Sequence, residues 1–229
     1  MKNFKFVSFR FSVFFLAFFL AIFSAESLRA EPEKASGNEQ STRAMSPDVH
    51  EAKPDNWFFY FGVGIVPQPK FDSGIQSNID NSKQNNSWAG DYGGVLELPG
   101  LYYRVGQSTM LGVLTNFIFE NYARDYKDRK SLGFDTYNVS LSAMTSTGSQ
   151  PGLGYFARLD FGPCDLIQVD ETPGNYARSY FPGLFEQVAL GYGFQSSLNT
   201  RLLSHLNFFY EDVLGHYQTG ISLNIGFLL

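Results

Sequence analysis

Residues 217–229 alternate with a period of two. Tyr217, Thr219, Ile221, Leu223, Ile225, Phe227 and Leu229 share one face, and Gln218, Gly220, Ser222, Asn224, Gly226 and Leu228 the other. Successive side chains of a strand point to opposite sides, so this stretch predicts a strand with one apolar face and one small, polar face. The same alternation recurs upstream. Trp57, Phe59, Phe61, Val63 and Ile65 oppose Phe58, Tyr60, Gly62, Gly64 and Val66. Further strands are predicted over 94–105, 110–121, 136–143, 153–162, 187–194 and 201–210. In the first of these Pro99-Gly100 marks a bulge, because proline cannot donate to a ladder and glycine relaxes the kink.

The count is eight, an even number, each strand near the ~10 residues that cross a bilayer at a tilt. The connections alternate as well: longer after strands one, three and five, short after two, four and six, with the last loop-side connection brief. Residues 67–92 read as a long polar loop, 124–130 as a charged loop and 162–182 as a longer acidic loop. In a membrane barrel the apolar face meets lipid and the polar face a lumen. The predicted fold is therefore all-β, an eight-stranded antiparallel up-and-down transmembrane β-barrel over 57–229. A soluble secreted sandwich is the fold-level rival, and it would bury Phe59, Phe117 and Tyr192 in a core.

Residues 11–23 are apolar, preceded by Lys2, Lys5 and Arg10 and followed by Ala25-Glu26-Ser27 and Ala30. They read as an export signal spanning 1–30, with cleavage after Ser27 or after Ala30. Residues 31–56 are polar and proline-containing, and predict a disordered periplasmic arm. Charged residues make up 17% of the chain against a usual share of about 25%, while 24 Phe and 13 Tyr suit a lipid-facing belt. A helical membrane protein needs repeated apolar runs of about 20 residues, and the one such run is the export signal. A net charge of -5 without a basic cluster argues against a nucleic-acid partner. The lone Cys164 excludes an intramolecular disulfide.

The predicted inner faces collect Arg104, Glu120, Arg158, Asp160, Arg201 and His205, with Tyr60, Tyr102, Asn116, Asn138 and Asn207 among them. Buried charges persist when paired, so these residues predict an ion-pair and hydrogen-bond network that fills the barrel. A gated or proton-linked path through His205 is the alternative. Ser204 and His205 are adjacent on a strand, face opposite ways and cannot act as nucleophile and base. His216, near Glu211 and Asp212, reads as an exposed loop residue. No catalytic residue, cofactor or metal ligand is predicted.

From Trp57 onward the chain resembles the small eight-stranded outer-membrane barrels of Gram-negative bacteria, the OmpA-domain, OmpX and OmpW group. Ile221, Leu223, Ile225, Phe227 and Leu229 carry the resemblance best. They occupy the alternate apolar places of the terminal signal that barrel-assembly machinery recognises in that group, although the group usually ends in an aromatic residue. The resemblance implies an outer-membrane location and a monomer. It implies outer-membrane lipid and lipopolysaccharide as partners, with the assembly machinery engaged during biogenesis. The implied role is structural or surface-interacting. A lipid A-modifying barrel enzyme and a narrow, porin-like conduit for small apolar solutes are the rivals. The deacylases among such barrels have a His and a Ser two apart, whereas Asn207 stands two residues after His205, so no catalytic residue carries over. Arg124, Lys127, Arg129 and Lys130 could contact lipopolysaccharide phosphates, and the interspersed Asp125 and Asp128 favour an ordinary solvated loop.

Overall fold

The computed structural model describes residues 56–67, 69–85, 92–125, 130–172, 175–196 and 200–229. The predicted export signal and all but the last residue of the predicted arm lie outside them. The elements are β1 (Trp57–Ile65), β2 (Lys70–Phe71), α1 (Ser73–Asn85), β3 (Tyr92–Arg104), β4 (Thr109–Asp125), β5 (Lys130–Ser146), β6 (Gly154–Thr172), β7 (Asn175–Gln195), β8 (Arg201–Val213) and β9 (His216–Leu228).

Each long strand pairs antiparallel with the next, and β9 returns to β1 from Tyr60↔Leu228 to Ile65↔Leu223. Eight strands thus form a closed up-and-down barrel. Where β1 ends, the two-residue β2 continues along β9 through Lys70↔Thr219 and Phe71↔Gln218. Closure leaves no edge along the ring, so the backbone groups of the wall are satisfied without water. Both ends of the barrel chain and the three short connections share one end, here the terminal end. The opposite end is the loop end.

Burial follows the period of two. Along β8, inward Arg201, Leu203, His205, Asn207, Phe209, Glu211 and Val213 are buried, whereas Ser204, Leu206 and Phe208 face out. The outward face is apolar: Phe59, Val63, Ile65, Val139, Leu141, Leu190, Leu206, Leu223 and Ile225 are all exposed. Aromatic pairs border this band at both ends. Trp57–Tyr103 (4.9 Å) and Tyr155–Tyr192 (5.2 Å) lie towards the terminal end, and Phe117–Tyr137 (4.5 Å) and Tyr210–Tyr217 (6.5 Å) towards the loop end. An exposed apolar belt flanked by aromatic girdles is the surface of a transmembrane barrel, and it excludes the soluble sandwich. Tyr192, which that rival would bury, is 47% exposed.

The bulge falls where Pro99-Gly100 predicts it: β3 shifts register against β4 between Glu97 and Gly100. Its effect is to change phase. Val95 and Glu97 point inward before it, Gly100 and Tyr102 after it.

Two predicted loops are instead structured, and a third is shortened. The loop over 67–92 contains β2 and α1. The predicted acidic loop over 162–182 is a hairpin, β6 and β7 running 19 and 21 residues and pairing from Gly154↔Gly193 to Thr172↔Asn175. The charged loop is shorter than predicted, because β4 runs to Asp125 and β5 starts at Lys130. Cross-strand pairing overrides the polar composition that reads as a loop, since each added residue gains ladder hydrogen bonds and cross-strand side-chain contacts that offset its lost backbone entropy.

Glycine spacing sets how the lumen fills. The Tyr60 ring lies over Gly226 and reaches Gly62; a Cβ on Gly226 would stand 2.5 Å from the Tyr60 hydroxyl, and one on Gly62 2.6 Å from it. Neither position can carry a side chain while Tyr60 keeps its place. Gly226→Val is therefore expected to lower stability by about 1–3 kcal/mol through overpacking, read as a lower midpoint for loss of the folded band on heating, whereas the exposed Leu223→Val leaves it within about 0.5 kcal/mol.

Candidate functional site

The middle of the lumen holds a polar network drawn from six strands, β1, β3, β5, β6, β7 and β8. Arg158 of β6 is fully buried and bonds Glu97 of β3 through Nη2 and Asp160 of its own strand through Nε, at 3.0 Å. Glu97 also accepts the Tyr60 hydroxyl, Asn207 Nδ2 at 3.0 Å and His205 Nε2 at 3.2 Å. Asp160 accepts Gln187 Nε2 at 2.7 Å and the Ser142 hydroxyl, which in turn meets the Tyr102 hydroxyl at 2.8 Å. The guanidinium carbon of Arg158 lies 5.1 Å from the Tyr60 ring centroid. Two carboxylates share one guanidinium, and the surplus negative charge is met by O–H and N–H donors. Buried charge is tolerable on those terms.

Apolar layers lie on both sides of this network. Phe58, Met110, Leu114, Met144, Phe156, Leu203 and Leu228 pack in the terminal half. The loop-end half is lined by Val95, Ile118, Phe134, Leu166, Phe185, Phe209 and Val213, with Phe71, Ile75 and Ile79 lowered into it. Two polar pairs interrupt that upper layer: Gln218 Nε2 donates to Glu120 at 2.5 Å, and Thr136 Oγ1 donates to Glu211 at 3.0 Å.

Of the six lumen residues read from the sequence, Arg158, Asp160 and His205 meet. The other three do not join them. Arg104, the last residue of β3, turns its long side chain out of the terminal mouth and donates to the carbonyls of Gly106 (3.0 Å) and Gln107 (2.9 Å), which the tight turn leaves unpaired. Arg201 binds Gln150 Oε1 at 3.0 Å and lies over the Phe58 ring at the same end. Glu120 is about a layer away, towards the loop end. Glu97, the hub of the network, was missed by that reading. The available signal was the bulge: Leu98 and Pro99 stand opposite the single residue Thr115, and this one extra residue sends Glu97 inward together with the even-numbered residues beyond it.

The loop end is closed by α1. Asp72 caps this helix, its Oδ1 accepting the backbone N–H of Gly74 (2.7 Å) and of Ile75 (3.2 Å). Its Oδ2 faces β9, meeting His216 Nδ1 at 2.7 Å and the Tyr217 N–H at 3.2 Å. The backbone of Asp72 donates to the Tyr217 carbonyl at 3.0 Å. His216 also packs edge-on against Phe181 at 6.0 Å, so it is a partnered, half-exposed strand residue and not the loop residue the sequence suggests. It opens β9 directly after a tight turn in which Leu214 (φ 44°) and Gly215 (φ 88°) are both left-handed, as a two-residue hairpin of this twist requires. The sequence signal for α1 is weak: Asp72 as cap, then Ile75 and Ile79 one turn apart.

With three Ser, three Asn and a Gly among 13 residues, α1 is a poor helix by itself. Burial of Phe71, Ile75 and Ile79, worth about 1.5–3 kcal/mol each, supports it. Cys164 is buried in the same cluster. Of the proposed lipopolysaccharide contacts, Lys127 and Arg129 lie outside the described residues; Arg124 and Lys130 fall on the ends of β4 and β5.

Glu97→Ala leaves a buried guanidinium with one carboxylate fewer and is expected to cost about 3–5 kcal/mol in urea unfolding from lipid, whereas Asn207→Ala, which removes one bond to a charged acceptor, costs about 1–3 kcal/mol. Asp72 titrates below the ordinary carboxylate range: burial raises it, and the bonds from His216, Gly74 and Ile75 outweigh burial. A group depressed in the folded state stabilises above its unfolded value and loses that effect as pH falls through its folded value. Protection factors of the α1 amides in hydrogen exchange should therefore fall on acidification below the usual carboxylate range, and Asp72→Asn should remove that step.

No protein-family model matches the chain, and no curated protein matches it in sequence. Among solved structures, Ail, the attachment invasion locus protein of Yersinia pestis, in complex with the heparin analogue sucrose octasulfate, superposes with a TM-score of 0.50 at 11% identity, over 76% of this chain and 100% of that one. Neisserial surface protein A follows at 0.46 and 15% identity, over 76% of this chain and 96% of that one. The N-terminal barrel domain of Pseudomonas aeruginosa OprF gives 0.38 at 17%, over 76% and 98%. At such identity the likeness speaks for fold alone, and the fold is that of the small eight-stranded outer-membrane β-barrels.

Proposed function

We propose that this chain is an outer-membrane barrel with a structural or surface-interaction role, closed to solutes along its axis and making its contacts at the loop end. The observation that carries this reading is the pairing of an exposed apolar belt with a lumen packed by side chains. The belt fits a bilayer. The lumen carries Arg158, Glu97 and Asp160 at 0% exposure between two apolar layers, which supports a filled interior.

The β6–β7 hairpin supports the interaction part. Pairing of β7 with β8 begins at Gly183↔Val213, so residues 175–182 of β7 stand beyond the ring, paired only to β6. Tyr176, Arg178 and Tyr180 are exposed there, with Arg178 over the Tyr176 ring at 5.0 Å. Amphipathic aromatics beside an arginine are the composition of a contact surface.

In this reading the loop end is external and the terminal end periplasmic. The partners are membrane lipid and lipopolysaccharide, and the assembly machinery during biogenesis. The machinery would read Ile221, Leu223, Ile225, Phe227 and Leu229, which lie on or just beyond the closing strand, the first four facing outward. Lipopolysaccharide contact through Arg124, Lys127, Arg129 and Lys130 belongs to the same reading.

Cell fractionation followed by electrophoresis with and without boiling tests it. The chain is expected in the outer membrane, with a heat-modifiable band, no conductance steps in planar bilayers and unchanged lipid A acylation in its presence. Phe227→Asp is expected to lower the amount of folded barrel severalfold. A mature chain that stays folded and dispersed in buffer without detergent would overturn the reading.

A further inference from the structure

The half of the lumen under α1 has the wrong chemistry for an inert filling. Barrel interiors in membranes are polar as a rule, because apolar side chains gain more on the lipid side. Here Phe134, Leu166, Phe185, Phe209 and Val213 turn inward and require an apolar occupant. In this structure Phe71 of β2 fills that place together with Ile75 and Ile79, which are carried by a helix of weak intrinsic stability. Besides the burial of Ile75 and Ile79, the contacts described for the helix's attachment to the wall are at its start: the Asp72 cap, the Asp72–His216 contact and the two-residue β2. Segments so held open locally at low cost.

A second observation points to a ligand. Glu211 projects inward between Phe209 and Val213, is 0% exposed, and has one carboxyl oxygen, Oε1, with no hydrogen-bond partner among the described residues. Its other oxygen takes Thr136 Oγ1. A buried acceptor left open in an apolar chamber is complementary to a single donor on an otherwise apolar molecule.

We propose that the loop-end half of the lumen is a binding chamber for a small, uncharged, apolar molecule bearing one hydroxyl or N–H donor. Helix α1 is its plug, latched by Asp72 and His216. Release of the latch withdraws Ile75 and Ile79, and the ligand takes their place with its donor on Glu211 Oε1. This goes beyond the surface role proposed above and does not depend on it.

Cys164, the single cysteine of the chain, is buried in the same cluster and reports the opening. The test measures its alkylation by N-ethylmaleimide, by peptide mass spectrometry, in the full mature chain in dioleoylphosphatidylcholine nanodiscs. Only variants that keep a heat-modifiable band are compared. His216→Ala and Asp72→Ala are expected to speed alkylation at least tenfold. A cross-strand disulfide between Lys70→Cys and Thr219→Cys, which are paired residues, is expected to slow it below the wild-type rate until reduced. In His216→Ala, 1-naphthol is expected to protect Cys164 at lower concentration than naphthalene, and Glu211→Leu to abolish that difference. Alkylation within twofold of wild type in both latch variants overturns the plug. Equal protection by 1-naphthol and naphthalene overturns the donor site.

Discussion

The pairing of β1 with β9 is the constraint on which the structure depends. A sheet in lipid cannot leave an edge, since each unpaired backbone group there costs several kcal/mol and no water is at hand. Closing eight strands removes every edge of the wall and fixes an interior just wide enough for side chains. What fills that interior follows from closure. Tyr60 can cross only because Gly62 and Gly226 leave room, and Glu97, Arg158, Asp160 and His205 can be charged or polar only because the ring brings them within bonding distance of one another.

The filling is layered, and the layers differ in physical character. The central network gains specificity from geometry: a guanidinium that must meet two carboxylates ties β6 to β3 across the lumen. The terminal layer is ordinary apolar packing. The loop-end layer is apolar too, but it is completed by a segment that the barrel wall does not supply. Helix α1 contributes two apolar side chains, beside Phe71 of β2, and is otherwise polar, so its place is set by Asp72 binding both the helix amides and β9. The stability of that region is local and rests on few contacts, unlike the wall, where each strand is held on two sides.

The fold was legible because a barrel wall is written with period two, and lipid makes the signal strong. Trp57 to Ile65 and Ile221 to Phe227 present apolar residues at every outward place, and even the Pro99 bulge announced itself. The interior was less legible. Knowing that Arg158 and Arg201 both point inward does not say at which height along the axis each stands. Arg201 lies near the terminal mouth beside Gln150, and Arg104 leaves the lumen altogether, because height depends on strand tilt and register. Glu97 was hidden by a phase change that single-strand alternation does not track across a bulge.

The sequence by itself determined the strand pattern and, away from the Pro99 bulge, the phase of each face, since these are local properties of side-chain order. Tertiary structure decided the rest. The partners of Glu97 come from residues up to 110 positions away, and α1, weak in propensity, exists because an apolar chamber and His216 receive it. The extended β6–β7 hairpin likewise forms against its polar composition, because pairing in register continues a ladder that the barrel has already started.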